Sequence, residues 1–314
     1  MTLIRLSTLA FLGSLAPVFA QAPDVVTDIP PVHGLVSRVM EGVGAPLNLL
    51  EQGASPHDYA LRPSDAAALQ NSDIVFWTGE GLAPWLSKTI EQVAPDALSI
   101  PLSTVEGVIH LPFRENAVFD EHDEHDEHDE HDEHDNHDDH DHGAGADDPH
   151  MWLDPENAKV WMQAIARTLA EKDPENAVQY EANANAGIAE IDAAIVRISK
   201  ELEPLHDLRF IVFHDAYHYF EARFGVEAVG AVSMSDASAP SPKRIAQLQD
   251  AVERSGVTCA FSEPQYNSQL VDTVLGKSVG ARAIIDPLGA HIEAGPQFYI
   301  ALLDHITQAF VSCQ

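Results

Sequence analysis

Three histidines stand in neighbourhoods that could do chemistry together. His57 lies in Ser55-Pro56-His57-Asp58-Tyr59, His150 in Asp148-Pro149-His150-Met151-Trp152, and His214 in Phe213-His214-Asp215-Ala216-Tyr217. Each is flanked by Asp, Pro or an aromatic residue. His57 and His214 follow short apolar runs, and Asp286, in Ile285-Asp286-Pro287, follows another. A single such histidine is usually a surface or core residue. Three neutral imidazoles with one oxygen form a different kind of set, suited to tetrahedral Zn2+ with bonds of ~2.0–2.1 Å. A manganese site would draw on more carboxylate oxygen, and Cu2+ binds such donors more tightly than zinc, so availability contributes to selection. Asp58 and Asp215 are candidate acceptors for the imidazole N–H groups, although Asp215 could equally cap a helix. His218, four residues after His214, shares a helix face with it, and His33 could line the mouth of a cleft.

A second histidine cluster is of another kind. Residues 120–142 repeat Glu-His-Asp five times, decay to Asn136-His137-Asp138 and Asp139-His140-Asp141, and end at His142. The segment carries His122, His125, His128, His131, His134, His137, His140 and His142 beside fourteen carboxylates. It has nothing to bury and repels itself, which predicts a mobile loop. A plain solvated linker needs no histidine at every third position, so weak, exchangeable metal binding is the expectation. Ordering such a chain costs about 1–2 kcal/mol per residue, which argues against one tight site within it.

The elements that must hold the candidate ligands alternate. Short apolar strands are expected at 24–27, 47–50, 73–77 and 97–102, separated by helices over about 30–40, 63–69 and 82–93. After the acidic segment, helices are expected over 155–171 and 174–203, the second roughly 45 Å long at 1.5 Å per residue. Alternation then resumes, with strands at 209–213, 228–232, 257–261 and 281–285 and helices at 216–224, 242–254, 268–279 and 296–311. Strand–helix alternation implies parallel sheets. The expected fold is therefore α/β, with two Rossmann-like lobes joined by a long rigid helix. Ligands of such sheets bind beyond the carboxyl ends of strands, which places the metal site in the cleft between lobes. The boundaries expected are a signal peptide at 1–20, a first lobe at 21–154, connector and spine helices at 155–205, and a second lobe at 206–314.

The first twenty residues combine Arg5, an apolar run over 6–15 and a small residue at Ala20. That is the pattern of a cleavable export signal, shorter than the ~20 apolar residues of a comfortable membrane span. No cysteine follows it to accept a lipid, so the mature chain is expected to begin near Gln21 in the periplasm and to be soluble. Export bears on the two cysteines, Cys259 and Cys313. An oxidising compartment favours their pairing, with two free buried thiols as the alternative.

Charge narrows the partners. Against 17 Lys+Arg stand 50 Asp+Glu in 314 residues, a formal net of −33. Such a surface repels phosphate backbones, which excludes nucleic acid, and concentrates cations instead.

The segments Ser55 to Asp65 (SPHDYALRPSD), Asp148 to Pro155 (DPHMWLDP), Phe213 to Phe220 (FHDAYHYF) and Ile285 to Gly289 (IDPLG) resemble the signatures of the transition-metal solute-binding proteins of ABC transporters. The similarity is strongest to their zinc branch, the ZnuA-like periplasmic receptors. It extends over nearly the whole mature chain. The resemblance implies a non-enzymatic, monomeric receptor that passes Zn2+ to an ABC membrane permease, with a periplasmic zinc chaperone as a further partner. It implies His57, His150 and His214 as ligands. Some members use a carboxylate just before the first histidine, where this chain has Pro56, leaving Asp286 or a water for the fourth position. The rival readings are a zinc buffer, a manganese receptor, and a zinc hydrolase with Glu263 or Asp286 as base. No HExxH segment accompanies the last.

Overall fold

A computed structural model describes residues 22–114, 116–119, 147–233, 240–266, 269–275 and 280–313. The export signal and the acidic histidine repeat lie outside the described residues.

The first lobe is built on β1 (Val25–Thr27), flanked by β2 (Leu47–Asn48) on one side and by β3 (Ile74–Trp77) and then β4 (Leu98–Pro101) on the other. All pairings are parallel. The second lobe repeats the plan with β5 (Phe210–His214), β6 (Ala228–Ser233), β7 (Cys259–Ser262) and β8 (Ala281–Ile284) in the order β6-β5-β7-β8, again all parallel. In each sheet the first strand lies inside, the second outside it, and the third and fourth follow on the other flank. The two-lobed α/β expectation is met.

Strands β1, β3, β5 and β6 are buried on both faces, which is why they read as unbroken apolar runs, whereas the outer strands β2, β4 and β8 are partly exposed. Alternation still assigns each residue a side. Val25, Ile74, Phe76, Phe210 and Val212 point into the central core shared by the lobes. Val26, Val75 and Trp77 pack outward beneath α2 (Pro63–Gln70) and α3 (Pro84–Val93). Ile211 and Phe213 pack outward beneath α7 (Pro242–Ser255) and α8 (Gln269–Leu275).

Helix starts follow local chemistry. In α4 (Pro155–Lys172), Asp154 caps by accepting from the Glu156 amide at 2.9 Å, and Pro155 supplies a helical φ at the first position. Ser241 does the same for α7 through the Arg244 amide at 3.2 Å, and Gly256 ends that helix in the left-handed region. The spine, α5 (Ala177–Leu202), buries Tyr180, Ala184, Gly187, Ile191, Ala194, Ile198 and Leu202 on one stripe. Its 26 residues make it roughly 39 Å long at 1.5 Å per residue. Asp173 does not cap it, because its carboxylate is taken by Asn176 and the Tyr180 hydroxyl.

The lobes touch directly as well as through the spine. α1 (Pro30–Val39) packs against α4, α5 and the last helix, α9 (Phe298–Val311). The α1–α9 approach is so close that a Cβ on Gly34 would stand 2.9 Å from Phe298 Cβ. Cys313, just beyond α9, is disulfide-bonded to Cys259 on β7, with Cα atoms 5.7 Å apart, so the expected pairing is present. After β4 the chain crosses to the second lobe. Val118 bridges Gly230, the Phe119 amide donates to Val229 O at 2.9 Å, and the Ala231 amide donates to Ala117 O. Gly230 is where the two backbones meet: a Cβ there would sit 2.1 Å from Ala117 O.

Among the element ends that differ from expectation, three have a visible local cause or consequence. α6 (His218–Phe224) begins two residues after Ala216, because the Ala216 amide turns back onto His214 O at 2.9 Å. α3 begins at Pro84, since the chain first turns at Gly79, whose φ is +139°. β2 keeps only two residues of its apolar run.

Candidate metal centre

The residues around each histidine fix its backbone before its ring. His57 occupies the loop between β2 and α2. Its amide donates to Ser55 Oγ at 3.2 Å, and the preceding Pro56 carbonyl accepts from Trp85 Nε1 at 2.8 Å. Tyr59 packs on the Trp85 ring and its hydroxyl reaches Asp65. His150 precedes a short 3-10 turn, Met151–Leu153, that feeds α4. Asp148 folds back to accept from the His150 amide at 2.9 Å, and Trp152 Nε1 donates to Pro287 O at 2.8 Å in the other lobe. His214 is the last residue of β5.

These three side chains converge. Their candidate ligand atoms all lie within 4.8 Å of one another. Ring centroids are 4.9 Å apart for His150–His214, 5.5 Å for His57–His150 and 6.0 Å for His57–His214. His150 and His214 are buried and His57 half-buried. Nε2 of His150 and Nε2 of His214 are 3.1 Å apart. Tetrahedral zinc with bonds of ~2.0–2.1 Å separates its donor nitrogens by roughly 3.3–3.4 Å, so this pair already stands at nearly ligand spacing.

The opposite ring edges face carboxylates. His150 Nδ1 is 2.7 Å from Asp148 Oδ1, and His214 Nδ1 is 3.1 Å from Glu263 Oε1. Both carboxylates are buried, and burial pushes the Asp148 carboxyl up while the His150 amide opposes the shift. A carboxylate on Nδ1–H fixes the tautomer and aims Nε2 at the metal. The sequence offers Asp58 and Asp215 for this task, the latter equally as a helix cap. Asp58 is exposed, and Asp215 is ion-paired with Arg114. Asp148 was visible two residues before its histidine. Glu263, 49 positions from His214, enters the sequence reading only as the base of the hydrolase; it follows the end of β7 and so lies at the carboxyl edge of the same sheet.

Asp286 is buried at the end of β8 but stands outside the three-histidine group. Its Oδ1 accepts from the Leu288 amide and Gln265 Nε2, both at 3.0 Å, and its Oδ2 accepts from the Ala290 amide at 2.6 Å. Behind the site, burial beside Glu263 and Asp286 pushes the Tyr217 phenol well up. His218 lies with Nδ1 3.8 Å from Asp148 Oδ2, outside the group. His33 is held between Ser37 and Pro46 O, which gives it a packing role. Among the described residues no helix is long and apolar enough to cross a membrane.

Residues 25–313 match the family model described as zinc-uptake complex component A, periplasmic. The high-affinity zinc uptake system protein ZnuA of Brucella abortus (strain 2308) is 42% identical over 303 residues, covering 92% of this chain and 91% of that protein. The protein of the same name from Paracoccus denitrificans is 41% identical over 326 residues, with 99% of each chain covered. A crystal structure of ZnuA superposes with a TM-score of 0.75 over 93% of this chain and all of that one, at 23% identity, a likeness of fold.

Proposed function

This chain belongs to the ZnuA family of periplasmic zinc-uptake components, and on that premise we propose that it captures Zn2+ through His57, His150 and His214 for delivery to an ABC importer. The observation that carries the assignment is the convergence of three imidazoles, two from the first lobe and one from the second, with ligand atoms within 4.8 Å of one another. The donor set is nitrogen-rich, which suits zinc better than manganese. The fourth position falls to Asp286, which would give up one amide partner, or to a water.

The division of labour follows from the chain's two histidine groups. The cleft holds one ion tightly. His122, His125, His128, His131, His134, His137, His140 and His142 gather further ions weakly and raise the local zinc concentration. Cleavage after Ala20 yields a mature periplasmic protein that acts as a monomer. Its partners are the permease and ATPase of the importer, with a periplasmic zinc chaperone as a donor.

The test is a titration of the mature chain with Zn2+ and Mn2+, on wild type, a His57/His150/His214 triple-alanine variant and a deletion of 120–142. The deletion lowers stoichiometry and leaves one tight zinc; the triple variant loses that tight zinc. Retention of it by the triple variant would remove the proposal.

A further inference from the structure

His150 and His214 are 2% and 3% exposed, so an ion held between them leaves only if something moves. What can move depends on the lobe to which each ligand is fastened. His214 ends β5 of the second lobe. His150 belongs to the first lobe in chain order, yet the segment around it is fastened to the second. Tyr219, on α6, is fully buried. Its hydroxyl donates to Asp148 O at 3.1 Å and accepts from the Leu111 amide at 3.0 Å. The Asp148 amide in turn donates to Leu111 O at 2.8 Å. One hydroxyl therefore holds two paired stretches of chain, with its donor and an acceptor site both used. Beyond His150, Trp152 Nε1 donates to Pro287 O at 2.8 Å, and Trp152 O accepts from the Tyr299 hydroxyl at 2.7 Å. Arg223, also on α6, grips Asp154 with two bonds of 2.8 Å.

The Tyr219 tie is the one that reaches a ligand. Asp148 is held at both ends: its carbonyl by Tyr219, its carboxylate by the His150 amide and Nδ1 at 2.9 and 2.7 Å. Tyr219 lies five residues after His214, so the path from one imidazole to the other is short. His57 is fastened differently. Pro56 O accepts from Trp85 of α3, and the Tyr59 hydroxyl reaches Asp65 of α2, both in the first lobe. Across the cleft, the side chain of exposed Gln52 bonds Ala290 O. We propose that Tyr219 is a positioning residue for metal binding. Its hydroxyl locks the His150 segment to the lobe of His214, so that these two imidazoles form a preassembled half-site and opening of the cleft parts His57 from both. Hinges and shears move packed bodies as units, and here the boundary between bodies runs between His57 and His150. The inference rests on His57, His150 and His214 being the ligands.

Both native cysteines are paired, so introduced cysteines can carry spin labels. Labels replace three exposed residues: Lys88 on α3, Asp147 beside the His150 segment and Lys243 on α7. Distances between pairs of labels are measured by pulsed dipolar spectroscopy on the full chain, with one equivalent of Zn2+ and with chelator. The expected result is that removing zinc shifts Lys88–Asp147 and Lys88–Lys243 while Asp147–Lys243 stays fixed. Tyr219→Phe should weaken zinc binding roughly tenfold, the low end for residues that orient metal ligands. It should also broaden the Asp147–Lys243 distance in the folded, zinc-loaded protein, a readout that lost stability alone does not move. Any shift of Asp147–Lys243 on chelation, or no shift in the other two pairs, overturns the half-site. Wild-type affinity and distances in Tyr219→Phe overturn the role of its hydroxyl. Should Tyr219→Phe not fold, Trp152→Phe cuts the neighbouring tie to Pro287 and is read in the same way. The histidine triple variant separates the two assignments. Tight zinc that survives there counts against the ligands, whereas His-dependent zinc with a moving Asp147–Lys243 pair counts against the half-site alone.

Discussion

Glu263 Oε1 lies 3.1 Å from Nδ1 of His214, on the side of the ring away from the 3.1 Å approach of its Nε2 to His150. One carboxylate thus settles which nitrogen faces the cleft. Replacing Glu263 by Gln keeps the volume and removes the charge that favours Nδ1–H. Zinc affinity should fall 10–100-fold, with Asp148→Asn acting similarly through His150. Calorimetric titration checks this, and wild-type affinity in both variants would show that the rings are aimed by packing alone.

Acid should release the metal. A zinc-bound imidazole must be neutral, and free imidazole protonates below about pH 6.5. Apparent zinc affinity should therefore decline as pH drops from 7.5 to 5.5, with protons released on binding across that range. Proton release measured in two buffers of different ionisation enthalpy tests this, and a pH-independent affinity would count against histidine ligation.

Asp28 gives the metal-free protein an opposite trend. It is fully buried beneath β1 and β3, accepting from the Ile29 amide at 2.8 Å and the Thr78 amide at 2.7 Å, and burial pushes its carboxyl up to about 6. The unfolded value is near 3.9. The folded state therefore binds this proton more tightly. The stability that Asp28 contributes is present below about pH 4 and lost as pH rises toward 6. The ceiling of that term is about 3 kcal/mol, from 1.36 kcal/mol per pH unit. Thermal melts with chelator should show a larger gap between wild type and Asp28→Asn at pH 4.5 than at pH 7.5. A gap that ignores pH would mean that the carboxyl titrates normally.

The interlobe seam should be intolerant of added volume. At Gly34 a methyl would meet Phe298 Cβ at 2.9 Å and two of its ring carbons at 3.1 and 3.2 Å. Gly34→Ala should cost about 1–3 kcal/mol, the usual penalty of overpacking. Combined with Phe298→Leu, the two costs should fall short of additivity, because the substitutions share one contact. Strict additivity in denaturant melts would place the strain elsewhere.

The Cys259–Cys313 bond fastens α9 to β7. Its replacement by two serines should cost about 2–4 kcal/mol yet leave one tight zinc per chain at 25 °C. Loss of the zinc site in a variant that still folds would give the bond a direct role in placing Glu263, four residues beyond Cys259.

Much of this arrangement is legible in the sequence because its signals are local. Strands buried on both faces read as apolar runs, Pro155 and Pro242 mark helix starts, and each histidine sits in its own short motif. What is hidden depends on distant partners. Nothing near His214 announces Glu263, and Asp215, the obvious neighbour, is claimed by Arg114 from 101 positions away. Asp286 shows the same effect. Its place after a strand suggests a ligand, while the two amides of its own turn and Gln265 that also reach its oxygens are not announced there. The crossing of residues 116–119 to the second lobe was equally hidden, since it depends on the bare backbone at Gly230.

The last helix has two masters. α9 lies against α1 of the first lobe and is tied through Cys313 to a strand of the second. Ending the chain before Phe298 would look like the loss of a tail, but it would unfasten both halves at once. Such a truncation should be felt at His57, at the far end of the molecule's wiring, as readily as at His214, whereas a single nick there leaves α9 tethered by its disulfide.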